Sequence, residues 1–175
     1  NYTENYARLL VHYCLKLKEG ERLFIQSTFL AEPLIRAIYK EALTVGAIVE
    51  IDLSFQEKYK SLINYSINND QLTYVPANYK AAMETFEAYL YIRAPYNLKE
   101  DQNIDTDKAS IRQKSFAAIR DIYFDRTGNG LMKRSLCQFP TQANAQEAGM
   151  SLSEYEDFIY GACMLKKDDP IQAWK

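Results

Sequence analysis

The feature that most constrains the fold is a fourfold alternation of short apolar runs with stretches of helical periodicity. The apolar runs occupy residues 23–25, 47–53, 89–92 and 131–137. The segments around and between them carry apolar residues spaced three and four apart, which is the stripe of an amphipathic helix. Alternating strands and helices form βαβ crossovers, which place helices on both faces of a parallel sheet. The sequence therefore predicts a three-layer α/β/α domain with a mainly parallel sheet of about four strands.

Local signals give the expected element boundaries. Helices are predicted over 6–17, 33–45, 59–67, 77–86 and 107–124, and three shorter ones follow the last strand. Gly20 is the expected residue after the first helix, and the run 89–92 suits a central strand covered on both faces. Ser151 and Glu154 form a capping box for a helix whose inward residues are Leu152, Tyr155, Phe158, Ile159 and Ala162. The polar segment 95–106 is the expected mobile loop.

Length and charge fit one ordinary globular domain. The chain has 175 residues, of which 47% are hydrophobic and 25% charged, and this excludes intrinsic disorder. No linker or repeat divides it, so residues 1–175 are expected to form one domain. The net charge of −2 gives no reason to expect a nucleic acid or an anionic membrane as partner. No apolar run approaches the ~20 residues that span a bilayer.

Cysteine and histidine counts restrict the chemistry. The three cysteines, Cys14, Cys137 and Cys163, lie far apart and form no C-x-x-C pair, which is typical of reduced, buried thiols in a cytoplasmic protein. A zinc site built from cysteine and histidine, or a Ser-His-Asp triad, would have to use His12, the single histidine. Because His12 has no second histidine at metal-ligand spacing, a surface or interface role is favoured.

In parallel sheets, ligands bind at the carboxyl ends of the strands. The residues expected there are Ser27-Thr28, Asp52, 93–95 and 139–141. A dinucleotide or P-loop site needs glycines after the first strand, and Ser27-Thr28-Phe29-Leu30-Ala31 contains none. The segment Gly128-Asn129-Gly130 precedes a strand and is interpreted as a turn. The expected fold is thus similar to flavodoxin and Rossmann folds but lacks a nucleotide fingerprint.

Other polar residues have simple structural interpretations. Asp52 could bind a metal or a ribose, but a lone aspartate at a strand end is expected to cap the following helix. Cys137 has no neighbouring base, so a buried inert thiol is favoured over a nucleophile. Glu32 and the pair Asp168-Asp169 suit helix N-termini. The residues alone give no complete catalytic constellation, and no catalytic, cofactor-binding or metal-binding residue is predicted.

Several segments in a fixed order resemble the N-terminal domain of the metalloaminopeptidases related to aminopeptidase T and aminopeptidase S. They are YARLLV (6–11), LKEGE (17–21), AEPLIR (31–36), EALTVGA (41–47), PT (140–141), AQEAGMS (145–151), EYEDF (154–158), and DDP (168–170) through Trp174. Each piece alone is weakly specific, but the combination covers nearly the whole chain.

The resemblance implies an enzyme that removes N-terminal amino acids from peptides. It also implies two divalent metal ions (zinc, cobalt or magnesium) held by Glu, His, Tyr and Asp side chains. In the family those ligands lie in a C-terminal catalytic domain, which follows the segment matching 168–174, so none is carried onto a residue of this chain. The expected partners are that catalytic domain, peptide substrates and a second copy in a homodimer. The alternative is a free-standing α/β module that binds a metabolite or a partner at its strand ends.

Overall fold

The computed structural model describes residues 1–175 and confirms the α/β class. Four parallel strands form one sheet in the order β2-β1-β3-β4. They are β1 (Arg22–Thr28), β2 (Ile48–Ser54), β3 (Ala88–Arg93) and β4 (Lys133–Gln138). This is the order of the first four strands of a flavodoxin-like sheet, in which the chain turns back across β1 to reach β3.

Ten α-helices surround the sheet, and none is long and apolar enough to cross a membrane. A π-helical segment (Leu9–Cys14) continues α1, and a single 3-10 turn (Phe29–Ala31) precedes α2. The helices are α1 (Tyr2–Arg8), α2 (Glu32–Thr44), α3 (Lys58–Tyr65), α4 (Asn69–Thr73), α5 (Ala77–Thr85), α6 (Thr106–Ser115), α7 (Ala117–Gly128), α8 (Gln142–Glu147), α9 (Leu152–Ala162) and α10 (Pro170–Trp174).

The pleat of β1 supplies side chains to two separate cores. Leu23 and Ile25 point to the front face of the sheet, where α1, the π-helical segment and α2 cover them. Phe24 points to the back face and packs with residues of α5 and α7. Its ring meets that of Phe86 edge to face, with centroids 6.1 Å apart. Alternate residues of one strand therefore hold both helical layers, as a three-layer domain requires.

The first helix ends differently from the prediction. Gly20 was expected to follow it, but the helix widens at Leu9, where Leu15 N–H donates to Leu10 O at 2.9 Å, and it ends before Lys16. Lys16 takes the left-handed conformation itself, with φ of 46°. Gly20 (φ 79°) instead forms the turn into β1, and its N–H donates to Gly46 O at 2.9 Å.

The single helix predicted over 107–124 is wrong, because the chain breaks at Phe116. The N–H of Phe116 donates to Gln113 O at 3.3 Å, a tightened last turn that ends α6. The break lets α6 pack against α4 while α7 packs against α5. The short helix α4 was not predicted. It follows α3 after Asn68, whose side chain caps it by accepting from Gln71 N–H at 3.0 Å.

Two surfaces predicted to be buried are open. Tyr91, on the back face of β3, is 43% exposed, so this central strand is covered on both faces only near its start. The capping box of Ser151 and Glu154 is present at the start of α9. However, no residue of α9 is fully buried, Ala162 is exposed, and Phe158 is 57% exposed. Leu152, Tyr155 and Ile159 are half-buried, so the apolar face of α9 is only partly covered.

These positions predict a clear order of stability effects. Ile92→Ala should lower the free energy of unfolding by about 2–5 kcal/mol, because the 1% exposed side chain leaves a cavity in the front core. Ser151→Ala should lower it by about 0.5–2 kcal/mol, because α9 loses its N-cap acceptor. Urea denaturation of both variants measures the two changes. The reverse order would contradict the packing described for β3 and α9.

Candidate functional site

The crevice expected in this topology lies between the carboxyl ends of β1 and β3, where the chain direction across the sheet reverses. Two hydroxyls close it. Ser27, which is buried, donates from Oγ to Ile92 O at 2.8 Å, and Thr28 donates from Oγ1 to Ala94 O at 2.6 Å. Thr28 Oγ1 also accepts from Leu30 N–H at 3.3 Å. These polar groups tie the two central strands together instead of facing a ligand.

A broader polar cleft of about 500 Å³ lies beyond this crevice. Its walls are the loop after β3, the helix α8 and Gln56, and its lining residues are Gln56, Tyr96, Asn97, Leu98, Lys99, Gln142, Ala143, Gln146 and Glu147. The sequence analysis expected residues 93–95 and 139–141 at this edge of the sheet. It missed the residues that line the cleft, which directly follow those two segments in the chain. Gln142 and Gln146 are four apart on α8, and that spacing was the available signal.

The N-terminus of α8 is already satisfied. Thr141, which is buried, caps the helix through Oγ1, which accepts from Asn144 N–H at 3.4 Å. On the same two walls, Glu100 Oε1 and Asn144 Nδ2 are buried polar atoms without a hydrogen-bond partner. The cleft therefore offers amide, carboxylate and ammonium side chains for recognition, and no glycine-rich loop that could cradle a phosphate.

Asp52 does not cap the following helix, contrary to the prediction. Its side chain lies on the back face, two residues before β2 ends, and Oδ2 accepts from Gln26 Nε2 at 3.0 Å. Gln26 Oε1 in turn accepts from the hydroxyl of Tyr89 at 2.7 Å, so the hydrogen bonds cross three strands. Burial raises the pKa of Tyr89, which keeps the phenol protonated as a donor. The position preceding α3 is held by Glu57, whose side chain makes no capping hydrogen bond.

His12 and Cys137 lie apart and are engaged separately. His12 Nε2 lies 2.5 Å from Glu41 Oε1, a contact that joins the π-helical segment to α2. Cys137 is 8% exposed, and burial raises the pKa of its thiol to about 12. Beside it, the hydroxyl of Tyr6 donates to Gln138 O at 3.1 Å and accepts from Cys163 Sγ at 3.7 Å. A thiol in this state is protonated at neutral pH and is a poor nucleophile.

The remaining candidate residues occupy helix ends and turns. Glu32 begins α2 and accepts from Arg36 Nε at 2.7 Å. Asp169 caps α10, with Oδ1 accepting from Ile171 N–H at 3.0 Å and Gln172 N–H at 3.2 Å, and Asp168 is exposed. Gly128-Asn129-Gly130 ends α7 and turns into β4, with Gly130 at φ 72°.

The donor side chains do not fit a divalent metal centre. No group of three or more His, Cys, Asp or Glu residues is arranged to hold an ion. The only histidine is paired with Glu41, and the three cysteines are free thiols.

The fold and these sites define an α/β domain with a polar cleft at its carboxyl edge. Comparison with known proteins identifies the family of this domain. The model of the thermophilic metalloprotease (M29) family matches residues 1–175, and the chain belongs to that family. It is 25% identical over 195 residues to aminopeptidase 2 of Geobacillus stearothermophilus, in an alignment covering 98% of this chain and 44% of the relative.

The fold also matches a solved structure, wild-type AmpT from Thermus thermophilus, with a TM-score of 0.75 and 20% identity. That match covers 99% of this chain and 44% of the AmpT chain. The chain thus spans less than half the length of both relatives.

The environments of the thiols predict their order of reaction. The prediction that all three thiols are buried is wrong for Cys14, which is exposed. Although partial burial raises the pKa of its thiol, Cys14 should react with a thiol-specific reagent before Cys137, which should resist labelling until the protein unfolds. Peptide mapping by mass spectrometry after timed labelling distinguishes the sites. Labelling in guanidinium chloride is the control, and there all three should react. Rapid labelling of Cys137 in the folded protein would show that β4 is not buried as described.

Proposed function

We propose that this chain is the N-terminal, non-catalytic α/β domain of a cytoplasmic, metal-dependent aminopeptidase that hydrolyses N-terminal residues from peptides. One observation carries the proposal. The chain matches the M29 family over its whole length, yet it spans 44% of the relative named as an aminopeptidase. We assign catalysis to another part of the enzyme, because more than half of such a protein would lie outside these residues. Free cysteines support a cytoplasmic location.

In this proposal the two divalent ions, zinc, cobalt or magnesium, belong to the part of the enzyme outside residues 1–175. Within the chain the only histidine is paired with Glu41, and no group of three or more His, Cys, Asp or Glu residues is arranged to hold an ion. No hydrolytic step is assigned to a residue described above. The contribution of this domain is the carboxyl-edge cleft, whose amide and charged side chains would form part of the wall of a peptide-binding cavity.

The surface that would meet the catalytic part is the apolar face of α9 together with α10. Its exposed side chains are Met150 (37%), Phe158 (57%), Met164 (39%) and Trp174 (47%). Trp174 is fixed in place, because its indole N–H donates to Cys163 O at 3.0 Å and its carbonyl accepts from the Tyr13 hydroxyl at 3.0 Å. Large apolar side chains that are exposed on these helices and beside their ends are typical of an interaction site. The assembled enzyme would then form the homodimer.

The second candidate is a free-standing module that binds a small molecule at the carboxyl edge. The polar cleft of about 500 Å³ favours it, because that volume suits a metabolite. Reading the coding sequence after Lys175 distinguishes the two candidate functions. A stop codon supports the module, and a further segment rich in Glu and His supports the peptidase.

The proposal predicts that the 175-residue polypeptide has no aminopeptidase activity and binds no zinc or cobalt with a Kd below about 1 μM. Hydrolysis of a leucyl chromogenic substrate with added metal, together with calorimetric metal titration, tests this. The polypeptide extended to the natural stop codon serves as the positive control. Turnover by residues 1–175 would place the catalytic site within this domain and contradict the proposal.

Exposure of α9 predicts weak self-association of the 175-residue polypeptide through that helix. Phe158→Ser should reduce the association measured by analytical ultracentrifugation, because it removes apolar surface from the centre of the patch. Phe124→Ser is a matched control, since Phe124 is also 57% exposed but lies on α7. Equal effects of the two substitutions, or an emission maximum typical of a fully buried Trp174 in a monomer, would contradict the assignment.

A further inference from the structure

A second cleft lies among helices of the back layer, on the opposite face of the sheet from α9. It has a volume of about 560 Å³ and lies among α3, α5, α6 and α7. Three aromatic rings, those of Tyr59, Tyr79 and Phe116, and two guanidinium groups, those of Arg112 and Arg120, line it. No aspartate or glutamate is among the lining residues. The cleft is therefore aromatic and positively charged in a protein whose net charge is −2.

Arg112 is held rigidly in this cleft. Its NH1 group donates to Tyr74 O and, at 3.0 Å, to Leu72 O at the end of α4. Its guanidinium carbon lies 4.5 Å from the centre of the Phe116 ring. Burial lowers the pKa of this guanidinium. The backbone carbonyls orient the group, and its second nitrogen remains available for a ligand.

Arg120 supplies the second charge and has no partner. The protein contains 23 acidic residues and forms seven ion pairs, yet none of those pairs includes Arg112 or Arg120. Arg120 also makes no side-chain hydrogen bond and is exposed on the first turn of α7. Two guanidinium groups that share one cleft without an anion are an electrostatic arrangement that a bound anion would complete.

The surroundings select the kind of anion. A phosphate would be held at the N-terminus of α6, but there Asp105 Oδ1 already accepts from the N–H groups of Asp107 and Lys108 at 3.0 and 3.1 Å. The negative charge of Asp105 disfavours a dianion at that end. A carboxylate matches the planar guanidinium, and the three rings favour an aromatic body. A free amine finds no carboxylate partner in the lining.

We propose that this cleft binds an organic carboxylate with an aromatic body, whose carboxylate pairs with Arg112 and Arg120 while its ring packs among Tyr59, Tyr79 and Phe116. The site is independent of the proposed peptidase role, because it uses no metal and lies on the opposite face of the sheet from α9 and α10. Failure of either proposal leaves the other unaffected.

Isothermal titration of the 175-residue polypeptide with 3-phenylpropionate tests the site, with 3-phenylpropionamide as the neutral probe. The acid should bind at one site with a Kd of about 1 mM or tighter, and the amide about tenfold more weakly. Arg120→Gln should weaken binding of the acid about tenfold, since a charge-assisted hydrogen bond is lost. The substitution removes no hydrogen bond or ion pair within the protein, so the fold should persist.

Arg134→Gln is the matched control. Arg134 also lies over an aromatic ring, 5.6 Å from the centre of Tyr123, but outside this cleft. Binding by this variant should stay within about twofold of the unsubstituted protein. The proposal is overturned if 3-phenylpropionate gives no saturable binding, if the amide binds equally well, or if Arg120→Gln and Arg134→Gln have equal effects. Tighter binding of phenyl phosphate would overturn the choice of a carboxylate.

Discussion

The structure depends on the position of β1 between β2 and β3, because this one strand takes part in two ladders and both cores. Side chains fasten it to β3 at each end. At its start, Arg22 binds Glu87 with an NH2 to Oε1 distance of 2.7 Å, and this arginine holds the pKa of Glu87 at about 2, well below its usual range. At its end, the hydroxyls of Ser27 and Thr28 bond to carbonyls after and within β3.

The hydrogen bonds of Ser27 and Thr28 at the carboxyl end of β1 also explain why the sheet lacks the ligand site typical of its topology. In nucleotide-binding relatives of this architecture, glycines leave room for phosphate at this point. Here the hydroxyl of Thr28 occupies that space and the 3-10 turn begins directly after it. The polar cleft lies further out, between the loop after β3 and α8. Ser27 and Thr28, whose hydroxyls tie the central strands together, thus stand where a dinucleotide site would need glycines.

The sequence allowed the strands and their order of appearance to be predicted, because each apolar run forms a strand that pairs with a neighbour in the sheet. Prediction from the sequence failed at positions where tertiary contacts override the local conformational preference of the residue. Lys16 adopts a conformation that favours glycine, and Phe116 interrupts an unbroken helical stripe because α6 and α7 pack on different partners. The partly uncovered face of α9 could not be predicted either, since an amphipathic stripe reveals apolar spacing and not what covers it. Asp52 pointed away from its expected helix because the pleat sets its direction.

The residues that line the two clefts were hard to find in the sequence, because tertiary packing brings them together. Arg112 and Arg120 are eight apart in a charged region, and only the break at Phe116 and the docking of α4 place both beside Tyr79. One segment nevertheless links the two clefts. Residues 96–99 line the cleft beside α8. Ile104 and Thr106, a few residues later, line the second cleft, which contains Arg112 and Arg120. The chain between 96 and 106 therefore contributes residues to both clefts, at its start to the one beside α8 and at its end to the one among α3, α5, α6 and α7.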